Sequence, residues 1–262
     1  SMIALCVSMF DWAQYRRAKG AVKLHLVLDH DGYLPCYAVL TEGKRQEISV
    51  ARAMSFPPGA MLVFDRAYAD HGWWLSLTRQ KVHFVTRLKD DAAYGVVEQR
   101  PVREGADILR DEVIVLVSQQ EIGPEALLRR IEVWVEDKQE TMVFVTNNLR
   151  LAASTIAAIY RERWQIELFF KALKQSLRVK TFVGTSENGV QTQIWTALIA
   201  MLVVKYLQLR STFGWSLSNL VALLRQQLFV YRDLFIWLND PFQAPPALAG
   251  IEQQQLVLSF VQ

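Results

Sequence analysis

"YRERWQIELFFKALK", residues 160–174, decides how the chain is read. Trp164, Ile166, Leu168, Phe169, Phe170 and Leu173 suit a packed helix, but Tyr160, Arg163, Glu167 and Lys174 need another reason. At about 100° per residue, offsets of 3, 7 and 14 from Tyr160 bring these four within an arc of roughly 60° on one continuous helix. Ile159, Ile166, Phe169, Phe170, Leu173 and Leu177 cluster on the adjoining arc, so the polar stripe runs along the edge of a buried face. A carboxylate there is partly desolvated, which is costly unless a cation compensates it. Arg163 and Lys174 are able to do so, and so is a metal ion.

The chain has 262 residues, 52% hydrophobic and 11% aromatic, enough for a sizeable core in one large domain or two small ones. Cys6 and Cys36 form no metal-ligand spacing, and with four His the composition argues against a structural zinc site and a disulfide framework. No secretory pattern opens the sequence. The uncharged stretch Gly189 to Val204 is short for a membrane span and reads as a buried helix. A soluble cytoplasmic protein is expected.

Charge is distributed unevenly. Between Arg150 and Lys180 seven basic residues face only Glu162 and Glu167, a net of +5, whereas Lys89 to Glu140 carries seven basic and thirteen acidic residues, a net of −6. A basic stripe with aromatics suits a polyanion, although a solvated helix face accounts for the same charges.

Elsewhere, Val22 to Gly43 reads as two strands around an Asp31-Gly32 turn, and Glu47 to Met54 as a helix that Pro57 and Pro58 stop. "AMLVFD" (60–65) is a short buried strand ending on a carboxylate, "ADHGWWLSLTRQ" a helix, and "VHFVTRLK" (82–89) another strand. Residues 90–140 read as β-rich, and 141–148 as a buried strand. A single long helix is expected from about Ala152 to Leu177, a second from about Ser186 to Leu209, and one or two more beyond. The fold class is therefore α/β, with a β-rich insertion ahead of the long helix and a helical C-terminal part.

Two acids stand out. Asp65 ends an apolar strand, where α/β proteins place ligands, although taken alone a strand-terminating turn residue is the plainer account of it. Glu167 lies on the polar stripe, where an ion pair with Arg163 or Lys171, worth about 0.2–0.5 kcal/mol, is the plain alternative. Taken together, two carboxylates from separate elements suit a divalent cation and in-line attack at phosphorus. Arg163, Lys171, Lys174 and Arg178 stand close by to grip phosphate.

The spacing Tyr160, Arg163, Glu167, Lys174 resembles the Y-(2)-R-(3)-E-(6)-K signature of insertion-sequence transposases of the IS4 group. "AKGAVKLHLVLD", "VFDRAYAD" and "RWQIELFFKALKQSLRVKTFVGTSENGVQTQIW" are similar to that family too. The resemblance implies an RNase H-like DDE catalytic domain over residues 1–210, with about 90–140 as its insertion and 211–262 as a helical C-terminal region. Asp65 and Glu167 become catalytic acids and ligands of Mg²⁺, for which Mn²⁺ substitutes. Tyr160, Arg163, Lys171 and Lys174 become ligands of DNA phosphates. Water cuts the transposon end and the freed 3′-OH joins target DNA. The partner is double-stranded DNA, engaged by a homodimer, in a bacterial, nucleoid-associated setting.

The chain also departs from the family pattern. The family's first Asp is expected just before a segment like "IALCVSMFDWA", upstream of Ser1, and Asp11, Asp29 and Asp31 do not fit its place. Ala67 stands where a Gly is usual. These departures give the expectation of a catalytic domain lacking its N-terminal DNA-binding region, first core strand and one metal ligand. An inactive DNA-binding or inhibitory chain, or a nuclease without strand transfer, are the competing readings.

Overall fold

The computed structural model describes residues 2–5, 14–16, 19–102, 107–117, 123–176, 186–227 and 229–242. The chain divides into two compact units, Ser1–Leu202 and Val203–Gln262.

The first unit opens with β1 (Met2–Leu5), β2 (Gln14–Arg16), β3 (Lys19–Leu28) and β4 (Pro35–Glu42). All three partners of β3 pair with it antiparallel. The β3–β4 turn falls at the Asp-Gly step, where Gly32 (φ 78°) and Tyr33 (φ 53°) are both left-handed. Only the first of these comes without a Cβ penalty.

Six strands form the larger sheet, in the order β5 (Met61–Val63), β6 (His83–Arg87), β10 (Glu140–Thr146), β9 (Leu128–Val135), β8 (Ile108–Leu116) and β7 (Tyr94–Gln99). β5 and β6 are parallel and the remaining pairs antiparallel. Residues 90–140 are β-rich as expected, but β7–β9 do not stand apart: they extend the sheet outward from β10.

Period-2 alternation places one helix layer on each face of this sheet. On one face α2 (His71–Arg79) packs Trp73, Trp74 and Leu77 against Phe84, Ile114 and Val145, beside α1 (Glu47–Ala51). On the other, α3 (Ala153–Arg161) sets Ile156 and Tyr160 against Val85, Ile131 and Phe144. Asp70 caps α2, its Oδ1 accepting from the Trp73 amide at 2.7 Å.

The single helix expected over 152–177 is instead two: α3 and α4 (Trp164–Ser176), separated by Glu162 and Arg163. Around the break the amides of Glu162, Arg163, Gln165 and Ile166 each bond three residues back rather than four. That tightening turns the chain by about 120° per residue, so the arc drawn for one unbroken helix does not carry across it. Leu177 lies outside the described residues.

α5 (Glu187–Arg210) matches the second expected helix and contains the division between the units. By length and composition it is the one helix among the described residues apolar enough to cross a membrane. Val190, Ile194, Leu198 and Met201 are buried, whereas Ile199, Val203, Tyr206 and Leu209 of the same helix are exposed, so it is only partly the buried helix expected. In the second unit α6 (Leu217–Gln227) and α7 (Leu234–Asn239) pack around Trp215 and Trp237, whose rings lie 5.3 Å apart.

Candidate active site

Asp65 follows β5 by two residues. The strand end is pinned: buried Thr86 donates its hydroxyl to the Phe64 carbonyl at 2.9 Å, and the Phe64 amide donates to Val85. Asp65 then begins a one-turn 3₁₀ helix, Arg66–Tyr68, with Oδ1 accepting from the Ala67 amide at 3.3 Å. Its other oxygen faces a cation.

Arg163 supplies that cation. Its Nη1 lies 3.6 Å from Asp65 Oδ2 and 2.8 Å from Glu167 Oε1. Because one nitrogen reaches both, the two carboxylate oxygens are no farther apart than those distances laid end to end. A strand end and the start of α4, about a hundred residues apart in sequence, thus deliver two acids to one point. Asp65 and Glu167 keep 48% and 41% side-chain exposure, whereas Arg163 keeps 18% and its Nε is buried without a hydrogen-bond partner. Burial works against the guanidinium charge, but the Glu167 hydrogen bond and the nearby Tyr160, Glu167 and Asp65 outweigh it and hold the pKa above its ordinary value.

Tyr160 is buried, its ring 4.7 Å from Phe144 and under the Arg163 guanidinium at 5.7 Å. Burial raises its hydroxyl pKa; Asp65 adds to that, while Arg163 and Arg87 oppose it. Tyr160 and Arg163 therefore join the two acids in one cluster, and Arg87, at the end of β6, stands beside them. Sequence reasoning passed over Arg87, although it closes a strand parallel to β5 just as Asp65 follows one.

Farther along α4, Lys171 is exposed and Lys174 is half-buried with Nζ 6.0 Å from the Phe170 ring. Arg178, Lys180 and Asp11 lie outside the described residues. On its other side Asp65 borders an open groove of about 590 Å³ lined by Arg66, Ala67, Lys89, Asp90 and Asp91. Arg66 Nη1 pairs with Asp90 Oδ2 across it at 3.7 Å.

One more hydrogen bond fixes the helix break. The Tyr33 hydroxyl donates a short hydrogen bond to Glu162 Oε2, which raises the Tyr33 pKa. Neither residue was marked by the sequence, because their partnership exists only after the hairpin folds onto the helix.

The family description "Transposase DDE domain" matches residues 9–203 of this chain. The chain belongs to that family. Among its relatives, the transposase y4zB of Sinorhizobium fredii is 30% identical over 227 residues, 85% of this chain and 64% of the relative. The transposase for insertion sequence element IS5377 of Geobacillus stearothermophilus is 30% identical over 198 residues, 75% and 52% respectively. A transposase for element IS4SA of Synechocystis is 33% identical over 85 residues, 32% and 25%. The chain thus spans about half to two-thirds of the first two relatives. Membership accords with the observed α/β architecture and its helical C-terminal part, which together are of the RNase H-like transposase type.

DDE transposase domains depend on a divalent cation. The fit here is an all-oxygen one: two half-exposed carboxylates at one point suit a hard cation that takes its remaining ligands from water and phosphate. Among the described residues no group of three or more His, Cys, Asp or Glu is placed to hold a metal. A softer, nitrogen- or sulfur-liganded ion finds nothing comparable among them.

Proposed function

We propose that this chain carries the phosphoryl-transfer centre of a DNA transposase, which cuts double-stranded DNA at transposon ends and joins the freed 3′-OH to target DNA. The observation that carries the proposal is the convergence of Asp65 and Glu167 on one Arg163 nitrogen, in a chain of the DDE transposase family. Asp65 and Glu167 are the metal ligands in this reading, with Mg²⁺ the resident ion and Mn²⁺ its substitute. The ion supplies charge neutralisation at the attacked phosphate. Tyr160, Arg163, Lys171 and Lys174 hold and orient the DNA phosphates, Arg163 through its planar fork and the lysines as point charges.

Residues 1–210 form the catalytic region in this assignment, residues 211–262 a helical C-terminal region, and the family resemblance extends the reading to a cytoplasmic homodimer acting on the nucleoid. The test is Mn²⁺ binding by the chain, followed by electron paramagnetic resonance, in wild type, Asp65→Asn and Glu167→Gln. Both variants are expected to lose most of the bound ion. Undiminished binding in either one removes that residue from the metal site.

A further inference from the structure

Arg163 Nη1 stands where a shared metal ion belongs. Asp65 and Glu167 would hold the ion through carboxylate oxygens, and Nη1 already lies 3.6 and 2.8 Å from one oxygen of each. The two cations cannot coexist there. Placed within about 4 Å of each other in a half-buried site, they repel strongly enough for one to displace the other.

We propose that Arg163 is an exchangeable counter-ion: it neutralises Asp65 and Glu167 until a divalent cation arrives, and metal loading releases its guanidinium toward a DNA phosphate. This rests on the reading of Asp65 and Glu167 as metal ligands.

Three features favour exchange over a permanent ion pair. The acids it joins are half-exposed, so a hydrated ion reaches them from solvent. The present pose leaves Arg163 Nε buried and unpartnered, a cost that ends when the side chain moves. The backbone at the break is held independently, through the Tyr33 bond to neighbouring Glu162, so the side chain can swing without unwinding α4. Once released, a planar fork binds a phosphate through two parallel hydrogen bonds. Metal and DNA then promote one another's binding, because each draws Arg163 and the carboxylates apart, and such coupling is reciprocal.

The test is Mn²⁺ titration of the 262-residue chain without DNA at constant ionic strength, by electron paramagnetic resonance, in wild type and Arg163→Gln. Arg163→Gln is expected to bind Mn²⁺ about tenfold more tightly, within the ordinary range of site coupling. Adding Asp65→Asn should abolish that gain. Thermal melting gives a second readout: Mn²⁺ should raise the midpoint of Arg163→Gln more than that of wild type. Equal or weaker Mn²⁺ affinity in Arg163→Gln overturns the exchange. If that equal affinity still depends on Asp65, the metal-ligand reading stands and only the exchange falls. Binding by neither protein sinks both. If Arg163→Gln does not fold, Arg163→Met carries the test, since it keeps an apolar stem of similar length and removes the charge. Tighter binding than wild type supports the proposal, and equal or weaker binding overturns it.

Discussion

Tyr33, at the tip of the β3–β4 hairpin, donates a hydrogen bond to Glu162, 129 residues further along, in the two-residue break between α3 and α4. The bond joins the hairpin to the break that contains Arg163, just ahead of the helix that carries Glu167. Tyr33 itself sits in a left-handed conformation (φ 53°) that a non-glycine residue enters at a cost. Tyr33→Phe removes only the hydroxyl. It should lower stability by about 1 kcal/mol, the usual worth of a part-exposed charge-assisted bond after solvent screening. Hydrogen exchange at the Glu162 and Arg163 amides should quicken more than in β6. Unchanged protection at the break would show that α3 and α4 hold it without the hairpin.

A second prediction concerns charge inside the sheet. Arg129 on β9 grips Asp111 on β8 through two bonds of 2.7 and 2.6 Å, both side chains at or below 7% exposure, and also donates to the Leu151 carbonyl. The adjacent Arg130 points to the opposite face, where it pairs with Glu112 and Glu132 and lies over the Tyr94 ring. Breaking a buried pair strands the surviving charge. Asp111→Asn should therefore cost about 3–5 kcal/mol in urea unfolding, whereas joint Asp111→Leu and Arg129→Met should recover most of the loss. A single variant that costs no more than about 1 kcal/mol, the ceiling for exposed pairs, would mean that water reaches this pair.

These two cases mark what was legible in the sequence. The Asp31-Gly32 hairpin, the apolar strand ending at Asp65 and the amphipathic run through Glu167 are local patterns, set by turn chemistry and periodicity, and each was readable. The helix break was not, because what fastens it is Tyr33, remote in sequence. The buried arginines were not either, since alternation in "RRIEVWVED" assigns charged residues to a solvent face and cannot show that β8 sets Glu112 opposite Arg130 and Asp111 diagonally across from Arg129. Asp65, Glu167, Tyr160 and Arg163 were legible as members of one site; Arg87 and the arrangement around Arg163 were not. Periodicity put Arg163 on the same stripe as Glu167, but only the fold brings Asp65 to the other side of the same guanidinium.

A third prediction follows from His25, buried on β3 with Nε2 2.9 Å from Thr41 Oγ1. Burial first, and then neighbouring positive charge including Lys23, lower its pKa to about 4 from 6.5, although Glu47 pulls the other way. The unfolded chain therefore takes up the proton first as pH falls. The contribution is fully present above the unfolded value and is lost as pH drops from about 6.5 toward about 4. Between about pH 7 and about pH 5 the loss should be about 2 kcal/mol, and His25→Gln should remove that share of the slope. His71, also lowered by burial, leaves a residual slope of the same sign in the variant. A pH dependence identical in both proteins would place His25 in contact with water.

The last prediction separates the lysines of α4 by their surroundings. Lys171 is exposed, one helical turn beyond Glu167, and has little to gain from the protein itself. Lys174 is half-buried, with its ammonium over the Phe170 ring. A DNA phosphate docked at the Asp65–Glu167 point lies on the side of α4 that both can reach. Each phosphate that a lysine neutralises releases counterions, so log Kd should depend on log salt with a slope that falls by about one for each lysine removed. Lys171→Ala should flatten the slope and leave melting unchanged, because the side chain is exposed. Lys174→Ala should flatten it by a similar amount and also lower stability slightly, because its ammonium no longer lies over the Phe170 ring. The double variant should show both effects added, since the two ammonium groups act as separate point charges. Salt slopes that match wild type in both single variants would move the DNA off α4, toward the groove bordered by Arg66 and Lys89.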